Sequence, residues 1–406
     1  SLPHVAADSI PTLHAAGDDT LPRTPTGISE FDIALGGGLV AGGILLLAGE
    51  PGIGKSTLIL TVAGAMTAHG TVLYISGEET AAQVRNRADR LGVPADRIRF
   101  LATADGTTAA AAIRSLRPAV AIVDSIQTLS LPDVPVDAGG VTQVRALTSL
   151  LTATAKSNGI PTILIGHVTK DGIIAGPKTL EHLVDQVAIL EGEPGLPLRM
   201  LRTTKNRYGA TDIVGVFSMT EKGLEPLADP TAAFRTSRHA PVPGSAVAVT
   251  VQGNRTLLIE IQTLATRSSM GPPQRRTIGI DINRLHVLLA VLAERGGVSL
   301  GSSDVHAVTT GGFKLIDPGA DLALLAALAS AATGRTVPFD ACVGTIGLDG
   351  SIRTVPVLER RIREAVRLGC RTIAVPPETP NVRGATLIPI TSTRDCVLTL
   401  KEQHRS

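Results

Sequence analysis

The feature that most constrains this chain is a glycine-rich segment, Gly49-Glu50-Pro51-Gly52-Ile53-Gly54-Lys55-Ser56-Thr57. The apolar run 44–48 precedes it and the apolar, helix-forming run 58–63 follows it, so the order strand, loop, helix is predicted. Glycines let successive backbone N–H groups curl around phosphate oxygens, and the N-terminal end of the next helix adds positive charge. The segment therefore predicts a phosphate-binding loop for a nucleotide such as ATP.

Two side chains of this loop and one distant carboxylate have predicted roles. Lys55 is expected to reach the β- and γ-phosphates, and the Ser56 hydroxyl is expected to hold Mg²⁺. Asp124 ends the apolar run 120–123, where a carboxylate can orient the water shell of the metal from the opposite side. An aspartate that only caps the strand end is the alternative for Asp124. The expected cofactors are thus ATP and Mg²⁺.

Length and composition narrow the class of protein. A chain of 406 residues is too long for one ordinary core, so two domains are expected. Aromatic residues make up only 2%, which argues against base stacking as the main route to nucleic acid. The net charge of +2 implies no particular partner, and no apolar run is long enough to span a membrane. Three scattered cysteines suit a reducing cytoplasm, the expected location.

The first half of the chain alternates predicted strands with predicted helices. This order indicates an α/β fold with a parallel sheet and right-handed crossovers. Because ligands bind at the carboxyl ends of such strands, the loop at 49–57, Glu78, Asp124 and His167 are expected at one edge. The predicted strands are 73–77, 98–101, 120–125 and 162–167, and the predicted helices include 81–91 and 141–157.

The second half of the chain has a different predicted organisation from the first. Residues 1–25 are a loose lead-in, 26–225 form the ATPase domain, 226–244 form a proline-rich linker, and 245–406 form a second domain. Short strands mixed with helices make an α+β fold the expectation for that domain. The segments 247–251 and 257–261 are predicted to pair, and the predicted helices are 284–295, 321–332 and 359–368.

Further charged residues are candidates for catalysis. One carboxylate of Glu78 and Glu79 can polarise the water that attacks the γ-phosphate, or both can be solvated residues at a helix start. Lys205 and Arg207 lie two residues apart and would point to the same side of an extended segment. Such a pair can enter a neighbouring subunit's γ-phosphate site, although a basic surface turn is the more common fate.

These motifs together resemble the bacterial DNA-repair ATPases of the RadA family, also called Sms. The resemblance runs from about Thr26 to Pro376. It implies a RecA-like ATPase core joined to a Lon-protease-like domain, in a hexameric ring that translocates on single-stranded DNA and promotes branch migration. Branched DNA and the recombinase RecA are the implied partners, and no membrane is involved. The matching stretches are 49–57, 74–79, 123–125, 166–172, 175–178 and 205–209, the last being the family signature.

The resemblance also assigns roles to individual residues. Glu78 matches the catalytic glutamate, and Lys205 and Arg207 become catalytic cations that act on a neighbouring subunit. His167 matches a γ-phosphate sensor, with a buried structural histidine as the alternative. The loop 168–182, with Lys170 and Lys178, resembles a DNA-contacting loop of the ring channel. In the second domain, a group of arginines can form a DNA-binding surface or a ring-forming interface, with an ordinary solvated basic face as the alternative: Arg267, Arg275, Arg276 and Arg284.

Two departures from related patterns matter. The family normally begins with a four-cysteine zinc module, and no cysteine precedes Pro25, so zinc binding is not expected for this chain. In Lon-type proteases a serine and a lysine form the catalytic dyad, but the alignment puts Gly319 and Glu359 at these positions. The second domain should then be proteolytically inactive.

Two alternative functions remain. One is a nucleotide-switched assembly that does not translocate on DNA, and the other is an ATP-dependent protease.

Overall fold

The computed structural model describes residues 22–167, 180–192, 197–211, 213–227, 234, 242–253, 255–268 and 272–402. By their internal contacts, the described residues form two compact units. The first comprises the residues up to Pro51 and then Lys55–Val187, and the second comprises Gly52–Gly54 and the residues from Ala188 onward. The predicted division into sequence domains, 26–225 and 245–406, stays a prediction.

The first unit contains alternating strands and helices. Its strands are β1 (Arg23–Thr24), β2 (Leu39–Val40), β3 (Ile44–Gly49), β4 (Val72–Ser76), β5 (Ile98–Ala102), β6 (Val120–Asp124) and β7 (Thr162–His167). Its helices are α1 (Ser29–Leu35), α2 (Lys55–Met66), α3 (Ala81–Leu91), α4 (Gly106–Leu116) and α5 (Val141–Asn158). Strand β8 (Gln186–Glu191) carries the chain into the second unit.

The main sheet of the first unit is parallel, in the order β3-β7-β6-β4-β5. Strands β3, β4, β6 and β7 are almost wholly buried and mostly aliphatic, as expected of strands covered on both faces, whereas the edge strand β5 is partly exposed. The register sets Gly49 beside His167 and Ser76 beside Asp124 at the carboxyl ends. The predicted α/β fold is therefore confirmed, and the predicted strands agree with the observed ones to within two residues.

The second unit is a mixture of sheets and helices. Its strands are β9 (Leu198–Asn206), β10 (Val214–Thr220), β11 (Gly223–Pro226), β12 (Ser245–Gln252), β13 (Arg255–Arg267), β14 (Arg275–Ile278), β15 (Ser303–Thr309), β16 (Ala341–Cys342), β17 (Thr345–Ile346), β18 (Ile352–Arg353), β19 (Thr372–Val375) and β20 (Thr386–Pro389). Its helices are α6 (Ile282–Gly296), α7 (Asp321–Thr333), α8 (Leu358–Arg367) and α9 (Thr393–Glu402).

Seven of these strands form one sheet in the order β14-β15-β13-β12-β16-β19-β20. The predicted pairing of 247–251 with 257–261 is confirmed, since β12 and β13 are antiparallel and set Val249 opposite Leu258. Helix α7 is buried along almost its whole length among α6, α9 and this sheet, which explains its alanine-rich, uniformly apolar sequence.

The predicted linker, 226–244, contains a buried anchor. Phe234 is fully buried, and its ring packs edge-to-face on Phe313 with centroids 5.1 Å apart. Its carbonyl oxygen accepts a hydrogen bond from the Glu260 N–H at 2.9 Å. At this point the segment is part of the core of the second unit.

No helix among the described residues has both the length and the apolar character needed to cross a bilayer.

Candidate nucleotide site

The phosphate-binding loop begins where β3 ends and leads into α2. The side chain of Lys55 folds back over the loop, and its Nζ donates to the carbonyl oxygens of Gly49 and Glu50, each at 2.9 Å. Lys55 is only 4% exposed, and this burial lowers the pKa of its ammonium group, an effect that the nearby Asp124 carboxylate opposes. The amine is thus held at the loop mainly by two carbonyl oxygens.

The tip of the loop, Gly52–Gly54, packs within the second unit. Gly54 has φ +113°, and a Cβ there would lie 3.0 Å from Met219 Cε and 3.1 Å from Leu224 Cδ1. The buried Arg199 donates from Nε to the carbonyl oxygen of Ile53 at 3.2 Å, and burial lowers the pKa of its guanidinium. The loop therefore requires glycine at this position both for its backbone conformation and for its packing.

Asp124 lies at the carboxyl end of β6, as predicted. One of its oxygens, Oδ2, accepts a hydrogen bond from the Tyr74 hydroxyl at 2.6 Å, and Asp124 is 8% exposed. The Ser56 side chain, in the first turn of α2, makes no hydrogen bond with the described residues. The two side chains keep oxygen atoms unused, and such oxygens suit Mg²⁺, which takes only one or two protein ligands besides phosphate and water.

The loop and its surroundings fit ATP and Mg²⁺ on structural grounds. The glycines Gly52 and Gly54 have positive φ, so they give the loop the backbone that a phosphate cradle needs. The Ser125 hydroxyl, next to Asp124, is buried without a hydrogen-bond partner. Among the residues described, no group of three or more His, Cys, Asp or Glu side chains is arranged to hold a metal ion by itself. A magnesium ion here would be held by Ser56, Asp124 and the nucleotide together.

The two adjacent glutamates have different surroundings. Glu79 forms a bidentate ion pair with Arg87 of α3, with N–O distances of 2.8 and 2.5 Å. Glu78 is exposed, and its carboxylate forms no hydrogen bond with the described residues. The Ser76 hydroxyl accepts hydrogen bonds from both backbone N–H groups and fixes the start of this turn. Glu78 is therefore the carboxylate of the pair that remains available to a water molecule.

Sequence reasoning missed two polar residues that follow Asp124. The Ser125 Oγ and Gln127 Oε1 atoms are both buried and have no hydrogen-bond partner. A Cβ at Gly166, near the end of β7, would lie 3.7 Å from the Gln127 amide nitrogen. Their position directly after a strand-ending aspartate was the available signal, because polar residues there lie at the ligand-binding edge.

The remaining residues predicted around the γ-phosphate are only partly described. His167 is the last residue of β7 and pairs in register with Gly49, and its side chain lies outside the described part of the structure. Lys170 and Lys178 also lie outside the described residues. Their roles as sensor and DNA contacts stay predictions.

Lys205 and Arg207 do not share one extended segment. Lys205 is half-buried in β9, whereas the strand ends at Asn206 and the exposed Arg207 lies in a turn. The Asn206 side chain stabilises this turn, because it accepts from Tyr208 N at 3.0 Å and donates to Ala210 O at 3.3 Å. The two cations therefore do not lie within one strand, and their role at a neighbouring subunit's nucleotide stays a prediction.

The arginines proposed for DNA binding differ in their environment. Arg275 donates to the carbonyl oxygens of Gln274 and Leu300 at 3.0 and 2.9 Å, and also to that of Ser303. Arg284 forms a bidentate pair with Asp321, which raises the pKa of the guanidinium. The exposed residues Arg267 and Arg276 have no such partners among the described residues. Of these four arginines, Arg267 and Arg276 are therefore the ones that keep their side chains available to an anion.

The position aligned with a protease serine is closed by an ion pair. A Cβ at Gly319 would lie 2.5 Å from Nη1 of Arg361, which is 3% exposed and paired with Asp317. Glu359 instead lies on the exposed face of α8 and pairs with Arg363. The side chain beside Gly319 is thus Arg361 rather than Glu359. Arginine is always protonated in proteins, so it also cannot act as a base.

A comparison with protein-family models matches the first part of the chain. A family model described as "ATPase: KaiC" matches residues 24–100, which include the phosphate-binding loop and Glu78. The crystal structure of the RadB recombinase covers 50% of this chain with a TM-score of 0.41 at 22% identity, and 98% of that chain is matched. The latter similarity is too low to argue from.

Curated relatives match most of the chain. "DNA repair protein RadA" of Mycolicibacterium smegmatis is 45% identical over 385 residues, which are 93% of this chain and 82% of the relative. The proteins of the same name from Pseudomonas aeruginosa and Bacillus subtilis are each 42% identical, over 91% and 87% of this chain and 82% and 78% of the relatives. At this identity and coverage, the chain belongs to the RadA family.

Proposed function

We propose that this chain is a DNA-dependent ATPase of recombinational DNA repair. The observation that carries the proposal is the loop at 49–57 with Lys55 buried in it, near Asp124, in a chain whose relatives are named DNA repair proteins. Lys55 would bind the β- and γ-phosphates, Asp124 and Ser56 would hold Mg²⁺, and Glu78 would orient the attacking water.

The finer part of the proposal concerns assembly. The active form is a hexameric ring of identical subunits that translocates on single-stranded DNA and promotes branch migration. It acts in the cytoplasm, with RecA as a partner. Lys205 and Arg207 would reach the γ-phosphate bound by a neighbouring subunit, where cations stabilise the charge that develops during hydrolysis. Support comes from the exposed turn that carries Arg207 and from the family signature at 205–209.

A mixing experiment tests whether the cations act between subunits. Lys55→Ala lacks the phosphate-binding lysine and Arg207→Ala lacks the neighbouring cation, so each variant alone should be almost inactive. Mixed subunits would recombine an intact loop with an intact Arg207, and turnover should rise above the sum of the two separate rates. Arg207→Ala should also keep nearly normal nucleotide affinity, because the group acts in the transition state. Additive rates on mixing would overturn the action between subunits.

The DNA dependence has its own test. ATP turnover measured with and without single-stranded DNA, together with light scattering with and without ATP, should show stimulation by DNA and a large ATP-dependent particle. The second candidate is a nucleotide-switched assembly without DNA translocation, which the match to the "ATPase: KaiC" model favours. That candidate predicts particles of similar size and a turnover rate indifferent to DNA.

A third function, that of an ATP-dependent protease, is not favoured. Arg361 and Asp317 fill the space beside Gly319 and pair with each other, and they do not supply the serine and lysine of a protease dyad. Peptide hydrolysis that depends on ATP would contradict this reasoning.

A further inference from the structure

Tyr74 places a hydroxyl group between aliphatic residues of a buried strand. The residue is fully buried in the middle of β4, and its ring stacks on Phe100 of β5 with centroids 6.2 Å apart. Its neighbours Leu73 and Ile75 are aliphatic and buried as well. Packing alone would be satisfied by phenylalanine at this position, so the hydroxyl group calls for a separate explanation.

The hydroxyl has one partner, the carboxylate of Asp124. It donates to Oδ2 at 2.6 Å, a short bond to a charged acceptor. A tyrosine hydroxyl has an ordinary pKa of about 10, so it keeps its proton and remains a donor at neutral pH. The bond therefore persists at neutral pH.

The two oxygens of the Asp124 carboxylate differ in their hydrogen bonding. Oδ2 is bound to Tyr74, whereas Oδ1 makes no hydrogen bond with the described residues. A carboxylate on a short side chain can rotate, and a fixed hydrogen bond to one oxygen fixes the direction of the other.

We propose that Tyr74 is a positioning residue that fixes the Asp124 carboxylate for the Mg²⁺ of a bound nucleotide. The inference rests on the proposed assignment of ATP and Mg²⁺ to this site. Tyr74 touches neither nucleotide nor metal in this role and acts only through Asp124. Loss of such an outer hydrogen bond typically weakens metal binding by about 10- to 100-fold.

The variant that tests it is Tyr74→Phe, which keeps the ring and removes only the hydroxyl. The measurement is the affinity for a fluorescent ATP analogue, titrated once at increasing Mg²⁺ and once in EDTA. We expect the Mg²⁺ concentration for half-maximal tight binding to rise by about tenfold or more, with little change of affinity in EDTA. Thr148→Val is the matched control, since it removes another fully buried hydroxyl, bonded at 2.7 Å to Val144 O within α5. It should leave both titrations unchanged.

A second variant separates positioning from packing. In an Asp124→Asn background, Tyr74→Phe should cause no further change in the Mg²⁺ dependence, because the carboxylate that it orients is absent. An unchanged Mg²⁺ dependence of Tyr74→Phe, or an equal loss of affinity with and without Mg²⁺, overturns the inference while leaving the proposed function intact. A wild-type protein without Mg²⁺-dependent nucleotide binding would overturn both.

Discussion

Each of the two units buries a cluster of charged side chains. The two clusters differ in whether their hydrogen-bond donors and acceptors all have partners among the described residues. Around the phosphate-binding loop, Lys55 is held by two backbone carbonyl oxygens, Asp124 has one oxygen bonded, and the Ser125 hydroxyl has no partner. Some buried polar groups of this cluster thus lack hydrogen-bond partners among the described residues, although burying such groups without partners costs free energy. Unused capacity of this kind in a buried cluster indicates a ligand.

Around Gly319, by contrast, the buried charged groups have hydrogen-bond partners. Asp317 accepts hydrogen bonds from Val251 N at 2.8 Å and from Gly319 N at 2.9 Å, and it also pairs with Arg361. Arg361 in turn donates to the carbonyl oxygen of Pro356 at 3.0 Å. The cluster satisfies itself and leaves no space for a side chain at Gly319. The comparison suggests a criterion: a buried cluster of charged side chains is a candidate ligand site where some of its hydrogen-bonding groups lack partners within the protein.

The largest expected effect tests the open cluster. Lys55→Ala should reduce ATP turnover by at least about 100-fold, because a cation that stabilises transition-state charge is lost. Phosphate release measures it, and Lys401→Ala, a change of an exposed lysine on α9, is the control. Turnover within a few-fold of the wild type would remove Lys55 from the site.

Glu78 and Glu79 test whether unused capacity distinguishes a catalytic group from its neighbour. Glu78→Gln should lower kcat by about 100-fold or more and leave nucleotide affinity nearly unchanged. Glu79→Gln should cost much less, because its carboxylate is paired with Arg87. Single-turnover rates and nucleotide titrations provide both numbers. A greater loss for Glu79→Gln would reverse the assignment.

The closed cluster should respond in stability. Asp317→Ala leaves the buried Arg361 without its carboxylate and should lower the free energy of unfolding by about 3–5 kcal/mol. Denaturant unfolding measures it, followed by a probe in the second unit. Asp349→Ala, which breaks the exposed pair with Arg353, is the matched control and should change stability very little. An equal loss of unfolding free energy in the two variants would contradict the larger contribution expected of the buried pair.

The smallest expected effect is the pH dependence of that contribution. Burial raises the pKa of Asp317, but hydrogen bonds from Arg361, Gly319 and Val251 outweigh it, so the net pKa is lowered. When the folded-state pKa of a carboxyl group lies below its unfolded value of about 3.9, the group adds stability at pH values above that unfolded pKa. This added stability is lost as the pH falls through the folded-state pKa. The stability difference between wild type and Asp317→Asn should therefore shrink below about pH 4. A difference that stays constant there would contradict the shift.

The local patterns predicted the first unit well because its signals are local. The strand ends, the helix 81–91 and the position of Asp124 follow from apolar runs that stop at polar residues, and the parallel sheet brings them to one edge. The sequence left both an extended segment and a surface turn open at 205–207, because the outcome depends on the Asn206 side chain, which binds the backbone of Tyr208 and Ala210. The contact between Arg361 and Gly319 could not be predicted, since it joins residues far apart in sequence that only the packed core brings together.

Phe234 has a practical consequence for dissecting the molecule. Its ring and Phe313 cover each other within a cluster that includes Leu257 and Ile259. A separately expressed fragment that starts at Ser245 would leave this aromatic surface bare and prone to self-association. Fragments that begin before β9 would retain Leu198, Met200 and Phe234 and thus keep the cluster covered.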